Sequence, residues 1–191
     1  MDAIEKAIKE SIRVKQDILD NKKLIGLIRT ASEYCIECFE QDGKILLCGN
    51  GGSAADAQHI AAELSGRFQI DRKPLYAEAL HVNTSYLTAV ANDYDYDKIF
   101  SRMVEAAGRH GDILIALSTS GNSKNVVEAA KKAREQEMII IGLTGSRGGE
   151  LDKICDICIK VPSGNTARIQ ESHIMIGHIL CEKIENTLFH P

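Results

Sequence analysis

His59 and Glu63 stand four residues apart in the stretch CGNGGSAADAQHIAAELSGRF, so a helix through them presents both on one face. An imidazole and a carboxylate in that relation can exchange protons or share a metal ion. On a solvated helix the same spacing makes an ordinary surface contact. Ala54, Ala55, Ala57, Ala61 and Ala62 surround the pair with small side chains and leave room for a ligand. The glycine turn ahead of them, CGNGGS, lets backbone approach a ligand closely, with Ser53 expected to cap the helix and Asp56 three positions on. It is not the GxGxxG dinucleotide fingerprint, and no acidic ribose partner follows at the right distance. By itself the turn serves a binding loop and a structural strand-to-helix turn equally well.

A second turn, ALSTSGNS, is more specific. Ser118, Thr119, Ser120 and Ser123 place four hydroxyls around Gly121 where a helix should begin, and the free N–H groups and positive dipole end of a helix favour an anion. No P-loop lysine follows, so a phosphomonoester fits better than a nucleoside triphosphate. Near the C-terminus, TARIQESHIMIGHILCEKIENTL is mostly apolar but carries Gln170, Glu171, His173 and His178. Polar residues inside such a pattern are either solvated or gathered at a site. His173 reads as a satisfied structural histidine. Gln170 and His178 are about 80° apart around an ideal helix and ~12 Å apart along it, so joining them at one ion needs long side chains, a distorted first turn or two subunits.

These residues need elements to hold them. After Asp42-Gly43 short apolar runs (KILLCG, LYAEALHV, ILIALS, MIIIGLTG, ICIKVP) alternate with helical patterns over 53–67, 84–91, 97–107, 123–136 and 167–188. That alternation predicts a five-stranded parallel sheet covered by helices on both sides, an α/β three-layer sandwich. In open parallel sheets ligands collect at the carboxyl ends of the strands, where both turns would lie. Ahead of the sheet, Ile4, Ile8, Ile12, Leu24, Leu27, Ile28, Ala31, Cys35 and Cys38 recur at helical spacing. Two helices broken near Asp20-Asn21 are expected over 1–41, with part of their surface packed against another subunit.

The 191 residues suit a single domain, 1–191, and 44% hydrophobic content without low-complexity tracts excludes disorder. No apolar run approaches the ~20 residues of a membrane span. The opening MDAIEKAIKESIRVKQ mixes acids with bases and lacks an apolar centre, which predicts neither secretory signal nor transit peptide and hence a cytoplasmic protein. A net charge of −4 gives no electrostatic reason to expect nucleic acid. Cys35/Cys38 and Cys155/Cys158 form CxxC pairs, but they are too far apart for a zinc ribbon. The first falls in a helical pattern and the second in a strand pattern, so buried small hydrophobes explain them better.

The segments CGNGGSAADAQHIAAELSGRF, VANDYDYDKIFSR, ALSTSGNS, IIGLTG and RIQESHIMIGHIL, in that order, resemble the sugar isomerase (SIS) fold family and within it the bacterial phosphoheptose isomerases. The resemblance runs from about residue 43 to the C-terminus. It implies conversion of sedoheptulose 7-phosphate to D-glycero-D-manno-heptose 7-phosphate, for lipopolysaccharide or related surface sugars, by a homotetramer with sites between subunits. On matching positions, Ser118, Thr119, Ser120 and Ser123 would hold the phosphate, and Asn50, Gly51, Gly52, Asn92 and Asp93 would line the sugar. His59, Glu63, Gln170 and His178 match the zinc-binding set, with Gln170 also facing substrate. Glu63 and His178 match the acid–base residues.

A non-catalytic relative of the same fold, the replication-initiation regulator that binds DnaA, is the rival reading, and the ending IENTLF resembles it. That relative lacks the glutamate of the HxxxE pair and the last histidine, whereas Glu63 and His178 are both present here. Another phosphosugar aldose–ketose isomerase is a third reading. His81 and Asn83 depart from the small polar residue and aspartate expected of the family. Lys98, Arg67 and Arg102 are cations near the motifs, read as surface or interface residues.

Overall fold

The computed structural model describes residues 2–189, so Met1, His190 and Pro191 of the expected 1–191 domain lie outside it. Two helices come first, α1 (Ala3–Asp20) and α2 (Lys22–Glu40), with the break at Asn21, whose side chain caps α2 by accepting from Leu24 N–H. Five strands follow, β1 (Ile45–Cys48), β2 (Ala77–Ala79), β3 (Ile113–Ser118), β4 (Ile139–Thr144) and β5 (Ile157–Lys160). All neighbours are parallel, in the order β2-β1-β3-β4-β5. Between and after them run α3 (Gly52–Ser65), α4 (Thr84–Asp93), α5 (Ile99–Ala107), α6 (Lys124–Glu135), α7 (Leu151–Ile154) and α8 (Thr166–Phe189).

Side chains of a strand alternate between faces, and the two cores show it. Ile45, Leu47, Ile113, Ile115 and Leu117 pack with α1, α2, α3 and α8, while Leu46, Cys48, Leu114 and Ala116 pack with α4, α5, α6 and α7. Burial on both faces explains why the central strands read as unbroken apolar runs. The expected three-layer α/β sandwich with N-terminal helices is therefore the observed fold. No helix among the described residues is long and apolar enough to cross a membrane.

Several local expectations are corrected. Of LYAEALHV only Ala77–Ala79 pairs as a strand, because β2 is an edge held by β1 alone. The helix expected from Asp97 begins as a 3-10 turn, Tyr96–Lys98, and α7 was not anticipated. Ser53 does not cap α3: the cap position is Gly51, at φ +56°, and Ser53 is buried in the first turn without a capping bond. Cys155 is not in a strand but at the end of α7, so its sulfur and that of Cys158 both lie beside Gly142 rather than on opposite faces. All six cysteines are free thiols. The Asn83 departure has a structural role, since its side chain caps α4 by accepting from Tyr86 N–H at 3.0 Å.

Candidate active site

The strand order reverses between β1 and β3, and the turns after these two strands are the glycine turn and the serine turn. Such a switch point opens a crevice at the carboxyl ends. The two turns are tied across it: Asn50 Nδ2 donates to Asn125 Oδ1 (2.8 Å), Asn125 Nδ2 donates to Asn50 Oδ1 (2.9 Å), and Tyr96 Oη also donates to Asn50 Oδ1 (3.1 Å). The Asn50 carboxamide is thus committed to the protein. Asn92 and Asp93 occupy the exposed last turn of α4, where Asn92 Nδ2 donates to Asp93 Oδ1 at 2.8 Å.

In the serine turn three of the four hydroxyls, those of Ser118, Ser120 and Ser123, lie together. Ser118 Oγ lies 2.9 Å from Ser123 Oγ and 3.5 Å from Ser120 Oγ, and Asn122 N–H donates to Ser120 Oγ at 3.1 Å. Gly121 sits at φ +69°, and a β-carbon there would stand 1.9 Å from the carbonyl oxygen of Gly148, so only glycine allows the turn to interlock with the loop after β4. Thr119 and Ser120 line a polar cavity of about 270 Å³ with Ser146, Arg147, Ser163 and Thr166. Ser118 is buried beneath it.

The second cluster forms where α3 and α8 touch. Gly177 lets the helices approach, since a β-carbon there would stand 2.4 Å from Ile60 Cδ1. His178 consequently faces His59: their Nε2 atoms are 3.0 Å apart, and His59 Nε2 is 3.2 Å from Glu63 Oε1. Among the described residues these three form the group of His, Cys, Asp and Glu side chains close enough to hold a metal ion, with ligand atoms all within 4.8 Å of one another. Ligands of a tetrahedral zinc bound at ~2.0–2.1 Å stand roughly 3.3 Å apart, so the donors suit zinc in type and the separations of His59 from His178 and from Glu63 suit it in spacing. Asp56, further up α3, has a carboxyl that burial raises to about 6, partly offset by His59.

Gln170 is not in this cluster. Its carboxamide lies against Gly52, where a β-carbon would be 2.5 Å from Nε2. Gly52 precedes His59 by seven residues, ~10 Å along α3. Three of the four expected metal ligands therefore meet within one chain and the fourth stands at the glycine turn. The cavity at the serine turn is likewise lined by none of His59, Glu63 and His178.

Sequence reasoning missed the support of the α3–α8 cluster. The segment after α3 folds back onto the buried carboxylate of Glu185, which accepts from the N–H groups of Phe68 (3.1 Å), Gln69 (2.8 Å) and Ile70 (3.1 Å) and from Arg72 Nε (2.9 Å). Burial pushes the Glu185 carboxyl up, but these four donors outweigh it and hold it below the usual glutamate range. Arg72 also donates to the Glu63 and Leu64 carbonyls. The fold-back lays the Phe68 ring on His178, centroids 5.8 Å apart at 29°. A glutamate two turns after His178 on a helix was visible, but not which backbone it would receive. Arg147 was also passed over, although the carboxyl-end rule that singled out the turns after β1 and β3 applies equally after β4. Lys98 pairs with Glu128 (2.9 Å) and Arg102 covers the Tyr94 ring, as surface residues do.

This arrangement of polar turns around a doubly covered parallel sheet has known counterparts. The SIS domain family matches residues 8–145 of the chain. A phosphoheptose isomerase of Clostridium acetobutylicum is 53% identical over 186 residues, 97% of this chain and 95% of that protein. Among solved structures, the phosphoheptose isomerase of Neisseria gonorrhoeae superposes with TM-score 0.90 at 47% identity, covering 96% of this chain and 97% of that one. That of Francisella tularensis gives 0.92 at 38%, covering 97% and 100%. With its switch-point turns and its helix-borne His59, Glu63 and His178 in place, the chain belongs to the SIS domain family, among its phosphoheptose isomerases.

Proposed function

We propose that this protein interconverts sedoheptulose 7-phosphate and D-glycero-D-manno-heptose 7-phosphate, in the cytoplasm, for heptose destined for lipopolysaccharide or another surface polysaccharide. The observation that carries the reading is the meeting of Glu63 and His178 around His59, on two helices brought together by Gly177. Moving the carbonyl from C2 to C1 requires a proton to leave C1, an enediol to form, and a proton to arrive at C2. Glu63 takes the carbon-bound proton and returns it to the neighbouring carbon. His178, stacked on Phe68, moves the proton between the two oxygens. A carboxylate has two oxygens, so Glu63 can face His59 with one and substrate with the other.

His59, Glu63 and His178 would hold a zinc ion, which when bound would polarise the carbonyl oxygen. Gln170 would complete the set only from another chain, since within one chain it stands at the glycine turn. The same separation applies to the phosphate held by Thr119 and Ser120 with the buried Ser118 and the half-buried Ser123. Both gaps favour a site assembled between subunits of a homotetramer, with Gly51, Gly52, Asn92 and Asp93 lining the sugar and the Asn50 carboxamide bracing the turn. The N-terminal helices suit the interface. Ile4, Ile8 and Ile12 form an exposed row on α1, and an apolar groove of about 470 Å³ including Leu19, Ile25 and Met175 runs between α1, α2 and α8.

A coupled assay with sedoheptulose 7-phosphate, run with and without a chelator, tests the reading. Turnover that falls on chelation and returns with zinc is expected. An inactive, correctly folded tetramer that binds DnaA would establish the rival instead. A monomeric mass in light scattering would overturn the shared site.

A further inference from the structure

We infer that Arg147 reads the charge of the substrate's phosphate and makes the cavity at the serine turn selective for the phosphate dianion. The inference rests on that turn being the phosphate site of the proposed function. Neutral hydroxyls and N–H groups can solvate a phosphomonoester, but they carry no full positive charge to balance about two negative ones. Of the side chains lining the cavity with Thr119 and Ser120, Arg147 is the only ionisable one. Among the described residues its guanidinium makes no hydrogen bond or ion pair, whereas the acids nearest in sequence are engaged elsewhere: Glu150 with Lys153 (2.7 Å) and Asp152 with Lys160 (2.7 Å). Arg168, near the cavity wall, is spent on Glu171 at 2.7 Å and on the Ala7 carbonyl.

The backbone that carries Arg147 is fixed to the serine turn. Gly145 N–H donates to the Thr119 carbonyl (3.0 Å), Glu150 N–H to Asn122 Oδ1 (3.0 Å) and Leu151 N–H to the Gly121 carbonyl (3.1 Å). Ser146 N–H donates to the Ser163 carbonyl (3.1 Å) on the opposite wall. A free cation on a braced loop, beside converging hydroxyls and without a competing acid, is placed to form the fork that guanidinium makes with phosphate oxygens.

The test compares Arg147→Gln, Arg147→Lys and Ser120→Asp with wild type, using inorganic phosphate binding by calorimetry and turnover of sedoheptulose 7-phosphate. Arg147→Gln should weaken phosphate binding and raise KM by about tenfold with kcat within about twofold, Arg147→Lys should recover part of this, and the melting temperature should not move. The advantage of pH 7.5 over pH 5.5 in KM, which follows the second phosphate ionisation near ~6, should shrink in Arg147→Gln. If Ser120→Asp abolishes phosphate binding and Arg147→Gln leaves it and KM unchanged, the inference on Arg147 falls and the phosphate site stands. If neither variant alters phosphate binding, the serine turn is not the phosphate site and both fall. A loss in kcat alone on Arg147→Gln also overturns the inference.

Discussion

At the turn after β3 the cavity is lined by the hydroxyl-bearing Thr119 and Ser120, held by a lattice of short-range bonds, whereas at the α3–α8 contact the groups are ionisable and held in place by a buried charge. Ser118, Ser120 and Ser123 owe their positions to a tight turn and to the interlock of Gly121 with Gly148. His59, Glu63 and His178 owe theirs to two long helices, and the segment covering them is pinned by Glu185 and Arg72, whose side chains are 3% and 1% exposed. The contrast follows from the work proposed for each end. Binding an anion needs fixed donors, which a turn supplies locally, whereas proton transfer needs groups of matched basicity from different parts of the chain.

The difference is sharpest where a buried charge loses its partners. Glu185→Ala strands the Arg72 guanidinium and three N–H groups, and should cost about 3–5 kcal/mol in chemical denaturation, whereas Glu128→Ala, which removes exposed ion pairs with Lys98 and Lys131, should cost under about 1 kcal/mol. Similar losses for both would erase the distinction.

His173 extends the comparison to pH. It is fully buried, bonded through Nε2 to the Thr144 carbonyl at 3.2 Å, and burial lowers it from 6.5 to about 4, with the Thr144 bond opposing. The folded protein keeps it neutral while the unfolded chain takes up a proton below about 6.5. Its contribution is therefore present above pH 6.5 and lost as pH falls toward 4, about 3 kcal/mol in all. Acid denaturation of His173→Gln should show a flatter dependence over that window, and an unchanged slope would reassign the loss to other groups.

Glu63→Gln should lower kcat by roughly 10²-fold, about 2.7 kcal/mol, with mass and melting temperature unchanged. Near-normal turnover would remove Glu63 from the chemistry. The smallest effect belongs to the neutral end: Ser120→Asp should raise KM about tenfold or more through like-charge repulsion with little change in kcat. A fall in kcat alone would mean that the serine turn acts on the reaction and not on binding.

Much of this was legible because it is local. Alternation of apolar runs and helical patterns marked the parallel sheet, the i, i+4 spacing put His59 and Glu63 on one face, and the hydroxyls around Gly121 marked a polar turn ahead of a helix. Local signals failed where a contact settled the outcome. Ser53 looks like a cap, yet Gly51 takes that place. Cys155 looks like a strand residue, yet α7 ends there and turns its sulfur toward that of Cys158.

The chain's own periodicities, which act over one or two turns, determined the layer architecture, the two polar turns and the pairing of His59 with Glu63. Only the tertiary structure decided that His178, 119 residues away, completes that pair while Gln170 does not. Register between α3 and α8 depends on close packing of Gly177 against Ile60, a fit between surfaces that no single helix encodes. The same holds for Glu185 gathering the loop after α3 and for Arg147 sharing a cavity with Thr119 and Ser120: each depends on which distant backbone comes to lie beside it.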